Sequence, residues 1–227
     1  KGHEDIMALD GRLSKDLYLR ASGLSSGGEA ALEHARDAAH KYGQAYKSTK
    51  GYYSGVNAGA IALRADIPAP TLDAHDRNVL KALPQPEALT PEDHYFIEAT
   101  RAECHLLLGD VKSSKASLRE AVAFDPLNYA AHATTLKQFN MIIQKYAQSA
   151  EWLSSFRPPR PAHFAGHITF TELETQTERE ALAAATSDNI QKHDIGFGFG
   201  ALAAGSDIII AEAVLDEGAD LNVVLPC

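Results

Sequence analysis

Apolar residues recur at helical spacing through the first part of the chain. In the first segment they fall mostly three or four residues apart, as on one helix face, at Ile6, Leu9, Leu13, Leu17 and Leu19. The next segment repeats small residues, which let packed helices approach closely, at Ala31, Ala35, Ala38 and Ala39. Later segments of this kind are ended by Pro68, Pro84, Gly109 and Pro126. The pattern predicts seven helices over residues 3–150, stacked as antiparallel hairpins.

The periodicity changes after a proline-rich stretch. Three of the four residues at 158–161 are proline, which cannot continue a helix and stiffens the backbone, so residues 151–162 are predicted to be a linker. Beyond it, apolar runs predict strands at 163–168, 195–199 and 221–225, and helical patterns occupy 174–192 and 206–217. Strands that alternate with helices predict a parallel sheet. We interpret residues 163–227 as a partial α/β unit, truncated at its C-terminus.

Charge and composition exclude several classes of partner. The formal net charge is -9, and after Arg160 the only basic residues are Arg179 and Lys192. A nucleic-acid surface needs clustered lysine and arginine, so no nucleic acid is expected. No apolar run approaches the roughly 18 residues of a membrane span, so no membrane is expected either. Two cysteines, Cys104 and Cys227, favour a reducing cytoplasm over a disulfide framework.

The strongest candidate site is a glycine-rich loop between a predicted strand and a predicted helix. Glycines permit tight turns and the close approach of a ligand to backbone N–H groups, and a helix N-terminus favours an anion. The residues concerned are Gly198, Gly200 and Gly205. The loop predicts a phosphate or nucleotide site; the alternative is that these glycines only let the helix pack on the strand.

Four further residues are predicted to contribute side chains to the site at this loop. Ser206 and Asp207 are good N-cap residues, and Asp207 is alternatively a contact to a ribose or base. Glu212 lies either near the pocket or on the solvated face of its helix. No second matched group accompanies it, so we predict no catalytic residue. His167 follows Gly166 at the carboxyl end of a strand, where ligands bind in open α/β sheets. His163 and His167 share one strand face, but no metal site and no cofactor other than a nucleotide-derived ligand is expected.

The helical part resembles a known signalling module. Around the turn Gly109-Asp110, residues Ala102, Ser114, Leu118, Ala121 and Asp125-Pro126 follow the offsets of the tetratricopeptide repeat. With Tyr52-Tyr53, Gly55 and Asn57 ahead of it, the segment is similar to the TRAFs-binding, tetratricopeptide-like region. That region occurs in apoptosis signal-regulating kinases and in bacterial signalling proteins. The resemblance implies a scaffold that binds protein partners.

The C-terminal part looks like the SLOG superfamily, the Rossmann-like group that includes DprA and the lysine-decarboxylase-like phosphoribohydrolases. The resemblance is carried by Gly166-His167, the segment Gly200 to Asp207, Glu212, Leu215, Gly218 and Val223 to Leu225. It implies a nucleotide or nucleotide-derived ligand. The chain lacks the basic residues of DNA-binding members. It matches the Pro-Gly-Gly-x-Gly-Thr-x-x-Glu pattern of the hydrolases only at Gly205 and Glu212.

These observations predict a fold class and a function. The chain is expected to be mainly α, with tetratricopeptide-like hairpins followed by a partial Rossmann-like unit with parallel strands. We expect a cytoplasmic, bacterial-type regulatory scaffold whose helices bind proteins and whose α/β unit senses a nucleotide-type ligand, within a longer effector protein such as a nucleotide cyclase. The alternatives are a pure interaction scaffold and a nucleotide N-glycosidase.

Overall fold

The computed structural model describes residues 2–23, 28–84, 90–146, 149–166 and 175–225. The chain divides into two compact units, Lys1–Arg157 and Pro158–Cys227. The described residues are mainly helical, with one small parallel sheet in the second unit. The prediction of a mainly helical chain with parallel strands is therefore confirmed.

The first unit consists of helices that pack on their neighbours in sequence. Its described helices are α1 (Gly2–Ser22), α2 (Gly28–Thr49), α3 (Tyr52–Arg64), α4 (Ala69–Ala82), α5 (Pro91–Leu107), α6 (Val111–Phe124) and α7 (Tyr129–Tyr146). The pairs α1–α2, α2–α3, α3–α4 and α5–α6 are in contact, and α3 also contacts α5 and α7. Helix α3 is thus the centre of the unit, and nearly all of its length is buried.

Local sequence signals account for where several helices begin. The Thr90 hydroxyl caps α5 by accepting the Asp93 N–H at 3.1 Å, and proline occupies the first helical position. The Asp110 carboxylate caps α6 by accepting the Ser113 N–H at 3.0 Å. Gly109 precedes it with φ +79, a conformation that side chains disfavour. The Gly-Asp turn between α5 and α6 therefore follows from these two residues.

Most of the apolar residues on which the prediction of helix α1 rests are exposed. Ile6 is 74% exposed, and Leu9, Leu13 and Leu17 are also exposed. The helix instead buries Ala8, Ser14 and Tyr18. Small side chains bring α1 close to α2, and the ring of Tyr42 lies directly against Gly11. The apolar stripe correctly predicts a helix, but most of its residues are exposed and do not form the face that packs in the core.

The segment predicted as a linker has regular structure. Residues Glu151–Phe156 form a 3-10 helix. Leu153 and Phe156 are buried in the core of the first unit, and the Trp152 ring meets that of Phe139 edge to face, with centroids 6.1 Å apart. These apolar contacts keep the segment on the helical unit. The first strand then begins at Arg160, inside the segment predicted as a linker and before the predicted residue 163.

The second unit is a small sheet with two helices. It contains β1 (Arg160–His163), α8 (Gln176–His193), β2 (Ile195–Gly200), α9 (Ser206–Asp216) and β3 (Asp220–Val223). The strands pair in parallel in chain order, β1-β2-β3, and α8 packs on α9. A capping box between Thr175 and Glu178 begins α8. The buried apolar cluster of this unit is small among its described residues: Ile190, Val214 and Ala219 are buried together, and the partly buried Ile195, Ile210 and Leu221 pack against them.

Within the ranges that the structure covers, no helix combines the length and the apolar character that crossing a bilayer requires.

Candidate functional site

The loops that follow β1 and β2 meet at one edge of the sheet. Both strands run in the same direction, so their carboxyl ends lie together. The pairing continues past β1, because the Phe164 N–H donates to the Phe199 carbonyl at 2.9 Å. Gly166 then packs so closely on the start of α9 that a Cβ there would overlap the side chains of Ser206 and Asp207. The structure therefore brings three predicted site residues together at the N-terminus of α9.

Gly205 and Asp207 shape the turn into α9. Gly205 is the N-cap residue, with φ +108, which explains why a residue without a side chain is needed there. Asp207 is only 4% exposed, and its Oδ2 accepts the Ala203 N–H at 3.2 Å. Its other oxygen, Oδ1, is buried and has no hydrogen-bond partner in the described structure. An unpaired buried acceptor costs free energy, so a group that donates a hydrogen bond to Oδ1 would stabilise this position.

Gly198 and Gly200 lie in β2 and serve packing. A Cβ at Gly198 would lie 3.0 Å from Val214 of α9, and a Cβ at Gly200 would overlap the Phe164 ring. Both glycines thus let side chains of neighbouring elements approach the strand. The sequence leaves open whether these glycines bind a ligand or permit packing, and their contacts in the fold are packing contacts.

Glu212 lies on the exposed face of α9, along a cavity between α8 and α9. The cavity has a volume of about 350 Å³ and is also lined by Gly205, Arg179 and Glu180. Arg179 is one of the two basic residues after Arg160. The cavity therefore combines one guanidinium with two carboxylates next to the glycine turn. The sequence gives no sign that Arg179 reaches this turn, because the packing of α8 on α9 places it there.

His167 lies outside the described residues, so the fold assigns it no position. His163 is exposed at the end of β1. No group of three or more histidine, cysteine, aspartate or glutamate side chains in the described ranges is arranged to hold a metal ion.

A second cavity, which the sequence reasoning missed, lies in the helical unit. It has a volume of about 430 Å³ and is lined by residues of α1, α2, α3, α5 and α7. Lys15 Nζ donates to Asn57 Oδ1 at 2.7 Å and to Gln138 Oε1. Gln138 Nε2 donates in turn to Glu103 Oε1 at 2.6 Å. A single amide thus connects a lysine and a glutamate, both of which line the cavity.

Burial shifts the pKa of both charged groups in this second cavity. Desolvation lowers the pKa of Lys15 to about 8, against the attraction of Glu103. Desolvation also raises the pKa of Glu103 to about 7, against the attraction of Lys15 and the hydrogen bond from Gln138. The one sequence signal is a glutamate between Ala102 and Cys104 in a helix, because a charged residue among buried neighbours usually has a specific partner.

Comparison of the chain with protein-family models, with curated proteins and with solved structures finds no match.

Proposed function

We propose that this protein is a cytoplasmic regulatory scaffold in which the helical unit binds protein partners and the α/β unit binds a nucleotide-type ligand. The observation that carries the proposal is the meeting of both strand-end loops at the N-terminus of α9, where Gly166 packs on Ser206 and Asp207. Ligands of open α/β sheets bind outside the carboxyl ends of the strands. In this proposal the α/β unit is Rossmann-like and the helical hairpins are tetratricopeptide-like.

The polar groups at this edge suit a nucleotide better than a simple anion. Asp207 places a carboxylate at the helix N-terminus and so weakens the attraction of that end for phosphate. Its unpaired Oδ1 instead requires a donor, which a ribose hydroxyl or a base amino group supplies. Arg179, on the wall of the neighbouring cavity, supplies positive charge for a phosphate. A nucleotide carries both kinds of group in one molecule.

Titration calorimetry of the full chain with a nucleotide panel tests this part of the proposal. The panel contains AMP, ATP, cyclic AMP and ADP-ribose. We expect at least one member to bind, and we expect Asp207→Asn to weaken that binding by about 10- to 100-fold, because a hydrogen bond to a charged group contributes about 1.5–3 kcal/mol. The matched control is Asp216→Asn, an exposed carboxylate in the last turn of the same helix. Absence of binding across the panel contradicts nucleotide sensing.

The exposed stripe of α1 supports the protein-binding part. Ile6, Leu9, Leu13 and Leu17 form a continuous apolar face with spacings of three and four residues. This is the spacing with which one helix packs on another. The partner is therefore expected to present an amphipathic helix. A stripe of this kind is larger than the single exposed apolar residues that are normal on a protein surface.

Capture of partners by variant proteins tests the role of the stripe. The double variant Leu9→Gln, Leu13→Gln replaces two central residues, and Leu127→Gln replaces an equally large residue, 75% exposed, outside α1. We expect partner recovery to fall with the double variant and to be unchanged with the control. Equal recovery by both proteins contradicts binding through this face. Gly205→Val separates the two parts of the proposal, because a pure scaffold retains all partners in that variant.

A further inference from the structure

The cavity of the helical unit is lined by two charged side chains, Lys15 and Glu103, that are joined through an amide and not directly. The Gln138 side chain lies between them, with its oxygen accepting from Lys15 and its nitrogen donating to Glu103. The amide of Asn57 is also oriented, because its nitrogen donates to the Tyr53 carbonyl at 2.9 Å and its oxygen accepts from Lys15. Both amides therefore hold the ammonium group in a fixed place at the cavity wall.

Each charged group keeps one unused hydrogen-bonding position. A lysine ammonium has three donors, and two of those of Lys15 are taken by amide oxygens. A carboxylate has two acceptor oxygens, and Glu103 Oε1 accepts the hydrogen bond from Gln138 Nε2. Within the described residues no hydrogen bond to Glu103 Oε2 is found. The cavity thus offers one cationic donor and one anionic acceptor, on the two sides of a single amide.

The rest of the cavity wall is mixed. Tyr53, Phe96 and Met141 supply apolar surface, and the exposed side chains of Arg12, Lys137 and Asp16 also line the cavity. The lining further includes three threonines, Thr100, Thr134 and Thr135. A neighbouring cavity of about 390 Å³ shares Arg12, Tyr53 and Phe96 and is also lined by Glu4 and Asp5, so the two cavities adjoin. Volumes of this size are typical of sites for small molecules.

A purely structural role explains this arrangement poorly. Glu103 is buried and Lys15 is half-buried, and charges taken out of water without direct contact destabilise a fold relative to apolar residues of similar size. Here the two charges border an open cavity instead of closing on each other. Ionisable groups with strongly shifted pKa values in a cleft are typical of functional sites.

We propose that this cavity binds a small zwitterion that carries both a primary amine and a carboxylate, as a free amino acid or a short peptide does. The ligand carboxylate accepts from Lys15, with Arg12 and Lys137 nearby, and the ligand ammonium donates to Glu103. The two charged groups of the ligand thus contact the same two residues, Lys15 and Glu103, that the neutral Gln138 amide already bridges. An apolar side chain of the ligand packs on Tyr53 and Phe96. The site is separate from the nucleotide edge proposed for the α/β unit.

Calorimetric titration of the wild-type full chain with blocked ligands tests the two-charge requirement. The probes are L-phenylalanine and L-leucine, then N-acetyl-L-phenylalanine, which lacks the amine, and L-phenylalaninamide, which lacks the carboxylate. We expect a free amino acid to bind and both blocked forms to bind at least tenfold more weakly. The dipeptide Leu-Leu distinguishes the two sources, because tighter binding of the dipeptide identifies a peptide site. No binding of any of these at 10 mM, with intact Trp152 fluorescence, overturns the proposal.

Charge-specific variants add a test that misfolding does not mimic. Glu103→Gln removes the partner of the amine, so we expect it to bind L-phenylalanine and N-acetyl-L-phenylalanine equally. Lys15→Met is expected to lose the preference for L-phenylalanine over L-phenylalaninamide. The matched controls are Glu120→Gln and Lys112→Met, both exposed on α6. Retention of wild-type preferences in both cavity variants overturns the proposal; if either variant fails to fold, the blocked ligands on the wild type decide alone.

Discussion

The helical unit and the α/β unit differ in how their interiors are built. The helical unit buries large side chains such as Tyr42, Phe139 and Leu106 around α3, together with charged groups such as Asp76 and Glu103. The described buried cluster of the α/β unit consists of Ile190, Val214 and Ala219, and several large apolar side chains of its strands and helices are exposed. The first unit thus combines a large apolar core with buried charged groups. The second has fewer buried apolar contacts among its described residues, so we expect its elements to open more readily.

The largest expected effect is on the helical core. Phe139 is 0% exposed, so Phe139→Ala should lower the free energy of unfolding by about 3–5 kcal/mol. The single tryptophan, Trp152, lies in this unit, so its fluorescence during urea unfolding measures the change. Leu127→Ala, at a 75% exposed position, is the control and should cost little. An equal, small effect of both variants means that Phe139 does not lie in a closely packed core.

The second prediction concerns the buried Asp76 of the helical unit. Desolvation, with the nearby charges of Glu103 and Asp73, raises the pKa of Asp76 from 3.8 to about 7. The pKa of Asp76 is higher in the folded state than in the unfolded state, so ionisation of this carboxyl destabilises the fold. The free energy of unfolding is therefore unaffected by the ionisation of Asp76 below pH 3.8 and decreases as the pH rises towards 7. A shift of this size corresponds to at most about 4 kcal/mol.

Asp76→Asn removes that titration, so its stability relative to wild type should rise between pH 4 and pH 8. Urea unfolding at intervals across this range, followed by Trp152 fluorescence, measures the difference. Comparison of the two proteins at each pH removes the contribution of groups that do not interact with Asp76; Glu103 does interact with it, so the measured difference includes that coupling. The exposed Glu120→Gln serves as the control and should show a constant difference. A constant difference for Asp76→Asn as well contradicts the raised pKa.

A smaller effect is expected in the core of the α/β unit. Val214 is 3% exposed and packs on Gly198, so Val214→Ala should cost about 2 kcal/mol. Trp152 lies in the other unit, so hydrogen exchange in α9 and β2 is the appropriate measurement. Faster exchange there with an unchanged fluorescence transition supports two separately stabilised units. A parallel fall of the Trp152 transition indicates that the units unfold together.

The smallest changes in stability are expected at two matched helix caps, one in each unit. Thr90 caps α5 in the helical unit, and Thr175 caps α8 in the α/β unit. Each threonine-to-alanine change should cost about 1 kcal/mol. Because the α/β unit has the thinner described core, Thr175→Ala should speed hydrogen exchange along all of α8, whereas Thr90→Ala should speed it only in the first turn of α5. The reverse distribution contradicts the difference in stability between the units.

The sequence predicts elements better than it predicts their faces. Thr90-Pro91 and Gly109-Asp110 predict helix ends correctly because capping depends on local hydrogen bonds. Which face of α1 is buried depends on contacts that are distant in sequence. Ala8 and Ser14 are buried because α2 presents small residues and Tyr42 to that side. Residues 151–156 likewise become a 3-10 helix because Leu153 and Phe156 find an apolar core that no local pattern reveals.

The same limit applies to the candidate sites. Gly166, Gly205, Ser206 and Asp207 follow strands in the sequence, so their meeting at one sheet edge is predictable from parallel topology. The cavity of the helical unit joins Lys15 to Glu103 across 88 positions and three helices. Such a site depends on the packing of α1, α5 and α7. It is not predictable from the spacing of residues along the chain.

The location of the nucleotide site is tested by hydrogen exchange of the full chain, with and without the nucleotide that binds most tightly. We predict slower exchange in peptides that cover residues 160–166 and 200–212, with little change in the helical unit. That pattern locates the ligand where the loops after β1 and β2 meet α9. Slower exchange confined to the helical unit, or unchanged exchange in both units at saturating nucleotide, contradicts the claim that this edge is the nucleotide site.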